Sequence, residues 1–249
     1  MAKTFHKTKM LSEKPFHYCP GCTHGIIHRL VGEVLEELGV MERTIAVASV
    51  GCSVLSYEYF NCDGVEAAHG RAPAVATAVK RVHPDKIIFT YQGDGDLASI
   101  GMAETLHAAA RNENITIIFV NNAIYGMTGG QMAPTTLPEM VTTTSPEGRC
   151  SLNSSAPIKM CELLAQIEGL AHIERVSVHQ VKYQIRAKKA IKEAFKCQIE
   201  KKGFSLIEVL SACPINWKKP PQDALDWLND HMLPVFPLGV YKGGGKDGV

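Results

Sequence analysis

Two short clusters carry the oxygen donors that a hard cation needs: Gly93-Asp94-Gly95-Asp96 and Asn121-Asn122. Asp94 offers Mg2+ a carboxylate, Asn122 a neutral side-chain oxygen and Ile124 a main-chain carbonyl. Mg2+ demands a near-octahedral set of oxygens and commonly borrows some from bound phosphates. Gly93 and Gly95 let the backbone approach such an anion closely. Amides at the start of a helix expected from Leu97 would donate to it, as would those of the loop Gly126-Met127-Thr128-Gly129-Gly130. Gly-Asp-Gly by itself is more often an ordinary turn. With Asn121-Asn122 closing the next strand and the glycine-rich loop behind it, the pattern predicts a cradle for Mg2+ and a diphosphate.

Sulfur forms a second set. There are eight cysteines: Cys19, Cys22, Cys52, Cys62, Cys150, Cys161, Cys197 and Cys213. Residues 1–14 are polar and basic, without the apolar core of a secretory signal, so a disulfide framework is not expected. Cys19-Pro20-Gly21-Cys22 fits a redox pair, half a zinc site, half an iron–sulfur site or a structural pair. Cys161 and Cys197 fall on helical patterns and belong in the core. His69-Gly70-Arg71 opens an alanine-rich helix, where a lone histidine is either a hydrogen-bonder or a reacting group. His24, beside Cys22, is expected to cap its helix or to bond near the sulfurs.

Regular elements must hold these residues. Ile26, Ile27, Leu30, Val31, Val34, Leu35 and Leu38 recur with helical spacing up to Gly39. Residues 44–50 read as a buried strand, 72–82 as a helix, 86–92 as a strand running into Gly93, 97–111 as a helix and 115–120 as a strand. Residues 123–156 form a long irregular loop, a feature that is usually functional or mobile. Alternation resumes with helix 158–168, strand 172–178, helix 184–202 and strand 205–210, then a short helix near 223–230. The tail 242–249 is expected to be unstructured. This order predicts one α/β domain, a doubly wound and mainly parallel sheet over 19–213, with extensions at 1–18 and 214–249.

The 249 residues carry a net charge of +1. Nucleic-acid or acidic-membrane binding would need a basic excess that is not there. The apolar stretch around Ile117-Ile118-Phe119-Val120 is too short to span a bilayer, so a cytoplasmic protein is expected.

The loop Asn121-Asn122-Ala123-Ile124-Tyr125-Gly126-Met127-Thr128-Gly129-Gly130-Gln131 resembles the β subunits of 2-oxoacid:ferredoxin oxidoreductases, in their 2-oxoisovalerate and 2-oxoglutarate branch. The resemblance runs from about Cys19 to Cys213. It implies the thiamine-diphosphate-binding fold, with Cys22, Cys52, Ser53, His69, Gly93 to Asp96, Asn122 and Ile124 to Thr128 around thiamine diphosphate. It implies Mg2+ on Asp94, Asn122 and Ile124, and His69 as the catalytic group beside the diphosphate or the substrate carboxylate. It also implies a [4Fe–4S] cluster on Cys19, Cys22, Cys52 and Cys213, although spacing alone leaves a zinc site of four thiolates open. An α subunit would supply the carboxylate for the aminopyrimidine ring, which has no motif here. A small ferredoxin-like δ or γ subunit would carry further clusters, with ferredoxin as acceptor and coenzyme A as co-substrate.

The substrate side chain is expected to border Ser53, Leu55, Ile124 and Met127. No Lys or Arg stands there to pair a distal carboxylate, and an unpaired buried carboxylate is costly. An apolar, branched acid such as 3-methyl-2-oxobutanoate is therefore expected, with 2-oxoglutarate or pyruvate as alternatives. A non-oxidative thiamine decarboxylase and a non-enzymatic iron–sulfur or zinc module are the rival classes. Arg186, Lys188, Lys189, Lys192 and Lys196 read as a solvated helix face on which an acidic ferredoxin could dock.

Overall fold

The computed structural model describes residues 6–150 and 156–243. Its strands are β1 (Thr44–Ala48), β2 (Asp63–Glu66), β3 (Ile87–Gly93), β4 (Thr116–Asn121), β5 (His172–Ser177), β6 (Ser205–Leu210) and β7 (Gly239–Lys242). They make one seven-stranded sheet in the order β2-β1-β3-β4-β6-β5-β7. Every pairing is parallel except β5 with β7. The inner strands are nearly unbroken apolar runs because helices cover both their faces. This is the doubly wound α/β sheet that the alternating pattern predicts.

The helices are α1 (His24–Glu37), α2 (Ser56–Tyr59), α3 (Ala72–Val82), α4 (Met102–Ala110), α5 (Met160–Ala165), α6 (Val181–Ile199), α7 (Pro214–Trp217) and α8 (Pro221–Trp227). On one face, Leu30, Val34 and Leu35 of α1 and Ile191 and Phe195 of α6 pack on Phe89, Ile118 and Ile207. On the other, small residues of α3 and α4 (Ala72, Ala76, Ala108, Ala109) and Met160 and Leu164 of α5 cover Val47, Ile88, Ile117 and Phe119. Alternate residues of β4 thus serve opposite layers, as a pleated strand requires. A third cluster sets Trp217, Leu228, Met232 and Phe236 of the C-terminal segment against Ile124, Leu137 and Met140 of the long loop.

Several boundaries differ from expectation. The helix expected over 97–111 is split: a π-turn at Asp96–Ile100 precedes α4, closed by Gly101 N–H donating to the Asp96 carbonyl at 2.7 Å. The break follows from a backbone crossing, since a Cβ on Gly101 would stand 2.6 Å from the Gly70 carbonyl oxygen. β2 is a short edge strand whose Asp63, Gly64 and Glu66 give no strand signal. Lys242 closes β7 rather than opening a loose tail; residues 244–249 lie outside the described residues. The basic face of α6 is not simply solvated either. Lys188 reaches Glu33 and Glu37 of α1 at 2.7 Å, and Lys192 reaches Glu37 at 2.8 Å, so two of its charges clamp one helix to the next.

One buried ionic network crosses four neighbouring strands. Arg175 of β5 and Glu208 of β6 are both fully buried and join at 2.8 Å. Arg175 also donates to Glu162, to the Tyr241 hydroxyl at 2.6 Å and to the Pro237 carbonyl at 3.1 Å. The second oxygen of Glu208 accepts from Asn121 Nδ2 at 2.7 Å. Burial alone would pull the Arg175 guanidinium down, but Glu208 and Glu162 overcome it and hold it above its ordinary range. Removing one partner of such a pair leaves an uncompensated buried charge. Arg175→Met should therefore cost about 3–5 kcal/mol of stability, read from the denaturant-unfolding midpoint. A variant as stable as the wild type would show that the pair does not hold the fold.

Candidate functional site

β1, β3, β4 and β6 are consecutive in the sheet, so their carboxyl ends share one rim. From β1 the chain goes to β2 on one side and then to β3 on the other, which makes this rim a topological switch point where a crevice opens. Gly51, Cys52 and Ser53 enter that crevice after β1, and Gly93, Asp94, Gly95 and Asp96 enter it at the end of β3. After β4 come Asn122, Ile124, Tyr125, Gly126, Met127 and Thr128, while His24 reaches in from the start of α1 and His69 from the loop before α3.

Asp94 lies at the bottom and is 3% exposed. Its Oδ1 accepts from Gly95 N–H at 3.0 Å. Its Oδ2 accepts from Ile124 N–H at 3.1 Å and from the Thr135 hydroxyl at 2.5 Å. None of these partners carries a charge. Burial consequently pushes the carboxyl up to about 7, against the opposite pull of Thr135 and the amides. A divalent cation would reverse that balance. Asn122 stands beside it, and its Oδ1 accepts from Ile124 N–H at 3.3 Å. The amides of Gly126, Met127 and Thr128 have no acceptor among the described residues. At Gly93 an added Cβ would meet nothing within 4 Å, so the backbone is open to a ligand. At Gly95 it would stand 2.1 Å from the Tyr125 ring, whose hydroxyl donates to the Gly95 carbonyl at 3.1 Å. Hard oxygens at the base and free amides at the rim fit Mg2+ with a diphosphate.

The turn after β4 is strained and braced. Ala123 has φ +59°, a left-handed conformation costing a non-glycine residue about 1–2 kcal/mol. Asn121 Oδ1 accepts from Ala123 N–H at 3.1 Å, and its Nδ2 is anchored through Glu208 to Arg175. The Thr136 hydroxyl donates to the Ala123 carbonyl at 2.6 Å, and Trp217 Nε1 donates to the Asn122 carbonyl at 3.1 Å.

Asp96 lines the crevice, but its oxygens are engaged elsewhere. Oδ1 lies 2.5 Å from His69 Nδ1 and accepts from Gly70 N–H at 2.7 Å, while Oδ2 accepts from Gln92 Nε2 at 2.5 Å. This fixes the His69 ring and leaves Nε2 as its free nitrogen. His24 does not cap α1; the cap position is Thr23, which makes no side-chain cap bond. The His24 ring instead stacks on Tyr18, with Nδ1 3.0 Å from the Tyr91 hydroxyl, and burial drives it down to about 3, so it is neutral. Leu55 stands just before α2, half-buried, and is not among the residues lining the crevice, whereas Met127 lines it and is 54% exposed.

The four sulfurs of the predicted set gather at the same rim. Thr23 Oγ1 lies 2.6 Å from Ser211 Oγ and accepts from Ala212 N–H at 3.1 Å, which draws the start of α1 to the end of β6. Cys22 and Cys213 come along. A Cβ on Gly126 would stand 3.2 Å from Cys52 Sγ, so the diphosphate loop touches the sulfur side. Burial pushes Cys22 and Cys52 up to about 12 and raises Cys213, and nearby Cys19 and Cys213 add to the rise at Cys22 and Cys52. Among the described residues no three Cys, His, Asp or Glu side chains are arranged around a single ion. One tetrahedral Zn2+ would need its sulfurs about 2.3 Å from a common point. A cubane takes one thiolate at each of its four irons, a number that these four cysteines match. Cys161 and Cys197 are buried on α5 and α6, as expected of core residues.

Sequence reasoning missed Thr135, Glu208, Asn216 and Trp217. Only Asn216 had a signal, three residues past Cys213; Thr135 is one threonine among several in its loop.

A buried acid at the switch point of a parallel sheet, with a glycine-rich amide loop over it, defines a diphosphate-binding α/β protein. Residues 46–209 match the family described as thiamine pyrophosphate enzyme, C-terminal TPP binding domain. The chain is 50% identical over 226 residues to ketoisovalerate oxidoreductase subunit VorA of Methanothermobacter thermautotrophicus, covering 91% of this chain and 47% of that one. It thus spans about half the length of that relative. It is 36% identical to 2-oxoglutarate synthase subunit KorB of Methanocaldococcus jannaschii, covering 88% of this chain and 79% of that one. A 2-oxoglutarate:ferredoxin oxidoreductase from Magnetococcus marinus, solved with 2-oxoglutarate, coenzyme A and succinyl-CoA, superposes with a TM-score of 0.80 at 26% identity, over 98% of this chain and 87% of that one. The chain belongs to the thiamine pyrophosphate enzymes and, within them, to the β-subunit family of 2-oxoacid:ferredoxin oxidoreductases.

The buried carboxylate has a measurable signature. Its folded-state titration lies above its unfolded value, so the folded metal-free protein keeps a proton that the unfolded chain releases between roughly pH 4 and about pH 7. Stability of the metal-free protein therefore falls as pH rises through that window. Asp94→Asn should remove the fall, leaving the metal-free variant more stable than wild type above pH 7 but not at pH 4. Adding Mg2+ with thiamine diphosphate should raise the melting temperature of wild type only. Equal pH profiles for the two proteins would refute the assignment.

Proposed function

We propose that this chain is the thiamine-diphosphate-binding β subunit of a ferredoxin-dependent 2-oxoacid oxidoreductase that decarboxylates a branched-chain acid, 3-methyl-2-oxobutanoate, and passes the acyl group to coenzyme A. The observation that carries it is adjacency: a Cβ on Gly126, in the loop over the diphosphate cradle, would stand 3.2 Å from Cys52 Sγ. A diphosphate cradle beside a redox-active sulfur group suits a decarboxylase that passes electrons onward one at a time, and a non-oxidative one has no use for it. Thiamine diphosphate bound there supplies the electron sink for breaking the bond to the carboxylate.

The chain's own residues bind and orient. Asp94, Asn122 Oδ1 and the Ile124 carbonyl hold Mg2+, and the amides of residues 126–128 take the diphosphate. Cys19, Cys22, Cys52 and Cys213 hold a [4Fe–4S] cluster. Asp96 orients His69, whose Nε2 then holds or moves a proton at the substrate's carboxylate or keto oxygen. An α subunit supplies the pyrimidine-side carboxylate, a small δ or γ subunit carries electrons onward, and ferredoxin receives them in the cytoplasm. Apolar Met127 and Ile124 at the crevice support a branched acid, as does 50% identity to a subunit named for ketoisovalerate. The neighbour solved with 2-oxoglutarate keeps that acid as the second reading.

The test is co-expression with the neighbouring subunits, then reduction of ferredoxin or viologen by a panel of 2-oxoacids with coenzyme A. 3-Methyl-2-oxobutanoate should give the highest kcat/KM; a preference for 2-oxoglutarate would move the chain to the second reading. Asp96→Asn should lower kcat by about 10²-fold with little change in KM. An unchanged kcat would remove the His69–Asp96 pair from the reaction.

A further inference from the structure

One side chain that the proposed chemistry does not use stands between the sulfur group and the diphosphate loop. Asn216 lies in α7, and its Nδ2 donates to the Gly126 carbonyl at 2.9 Å and to Cys213 Sγ at 3.2 Å. The orientation of the amide is settled by its first partner: a carbonyl only accepts, so the nitrogen must face it. The loop closes tightly around this group. A Cβ on Gly126 would stand 3.7 Å from Asn216 Nδ2, and one on Gly130, where φ is +87°, would stand 3.1 Å from Asn216 Oδ1. α7 is itself fixed, since Trp217 N–H donates to the Cys213 carbonyl at 3.0 Å and Trp217 Nε1 to the Asn122 carbonyl. The short segment 213–217 therefore ties Cys213 to both ends of the loop that borders the crevice.

We infer that Asn216 is a positioning residue that fixes Cys213 against the diphosphate loop and tunes the reduction potential of the iron–sulfur group bound through that thiolate. The inference rests on the reading of Cys19, Cys22, Cys52 and Cys213 as ligands of one cluster. An N–H donor aimed at a ligating sulfur stabilises the more negative, reduced cluster and so raises its potential. The other hydrogen of the same amide holds Gly126 beside Cys52 Sγ, which keeps the diphosphate and the sulfurs at a fixed short separation. Leucine at this position would preserve bulk and remove both side-chain bonds, leaving only the main-chain N–H of residue 216 on the sulfur; aspartate would preserve shape and put a negative charge beside it.

The experiment uses the intact multi-subunit complex. Redox titration followed by electron paramagnetic resonance should give a midpoint shifted to more negative potential in Asn216→Leu, and shifted further in Asn216→Asp, with iron content unchanged. Dissociation of thiamine diphosphate with Mg2+ should quicken several-fold in both. In the wild type, electron–nuclear double resonance of the reduced cluster should show an exchangeable proton coupling that disappears in deuterium oxide. A merely structural asparagine would change melting temperature or iron content and leave the midpoint of the remaining cluster in place. An unmoved midpoint in iron-replete variants overturns the role, and so does a wild-type cluster with no exchangeable coupling, which needs no variant at all. A wild-type complex that binds thiamine diphosphate but holds no iron in this subunit overturns the ligand assignment underneath it, an outcome that iron analysis distinguishes from the others.

Discussion

The interior carboxylate of Asp94 is the constraint around which the rest is arranged. A protein interior tolerates such a group only if it is neutral or paired, and its own neighbours offer hydrogen bonds without charge. Every segment that contributes one of these bonds is thereby committed to a place: the start of the π-turn through Gly95, the strained turn through Ile124, and the long loop through Thr135. The loop is irregular in backbone yet largely buried between residues 133 and 137, because it has to bring a hydroxyl to a carboxylate under the sheet's rim. Its apolar underside then needs a cover, which the C-terminal segment provides with Trp217, Leu228 and Phe236.

The sulfur group is built by a different logic. Cys19 and Cys22 come before the first helix, Cys52 follows the first strand and Cys213 follows the sixth. Sheet order brings the last two to one rim, and the bonds of Thr23 to Ser211 and Ala212 help recruit the first two. At Gly21, φ is +76° and a Cβ would stand 2.5 Å from the Pro221 ring, so the Cys-x-x-Cys hairpin is pressed against the chain's C-terminal segment. Segments from the two ends of the chain meet at this site.

Much of this could be read in the sequence, for physical reasons. Buried parallel strands are apolar along their whole length, so β3, β4 and β6 announced themselves, and α3 was delimited to the residue by its small apolar period. Gly93-Asp94-Gly95 and Asn121-Asn122 were visible because glycine and acid at a strand end are rare among apolar neighbours. What could not be read was anything fixed across long separations. Thr135 reaching Asp94, Asn121 reaching Glu208 and Trp217 reaching Asn122 each span a gap in sequence that no local pattern encodes. Edge strands were lost for the opposite reason: β2 and β7 are short and largely exposed, so no burial pattern marks them. His24 is expected from its position to cap its helix or to bond near the sulfurs; it makes no cap, and burial beneath Tyr18 keeps it neutral.

The Arg175–Glu208 pair bears on how the chain finds this arrangement at all. β5 and β6 are parallel and buried along nearly their whole length, so the pairing of their side chains decides the alignment. In the native alignment Arg175 faces Glu208. A slip of one residue would set the guanidinium opposite Ile207 or Val209 and strand both charges in hydrocarbon. A polar pair in the middle of an oily sheet thus acts less as an adhesive than as a lock against misalignment. It penalises each wrong pairing more than it favours the right one. Because Glu208 also grips Asn121, choosing the correct alignment of two strands simultaneously sets the turn that presents Asn122.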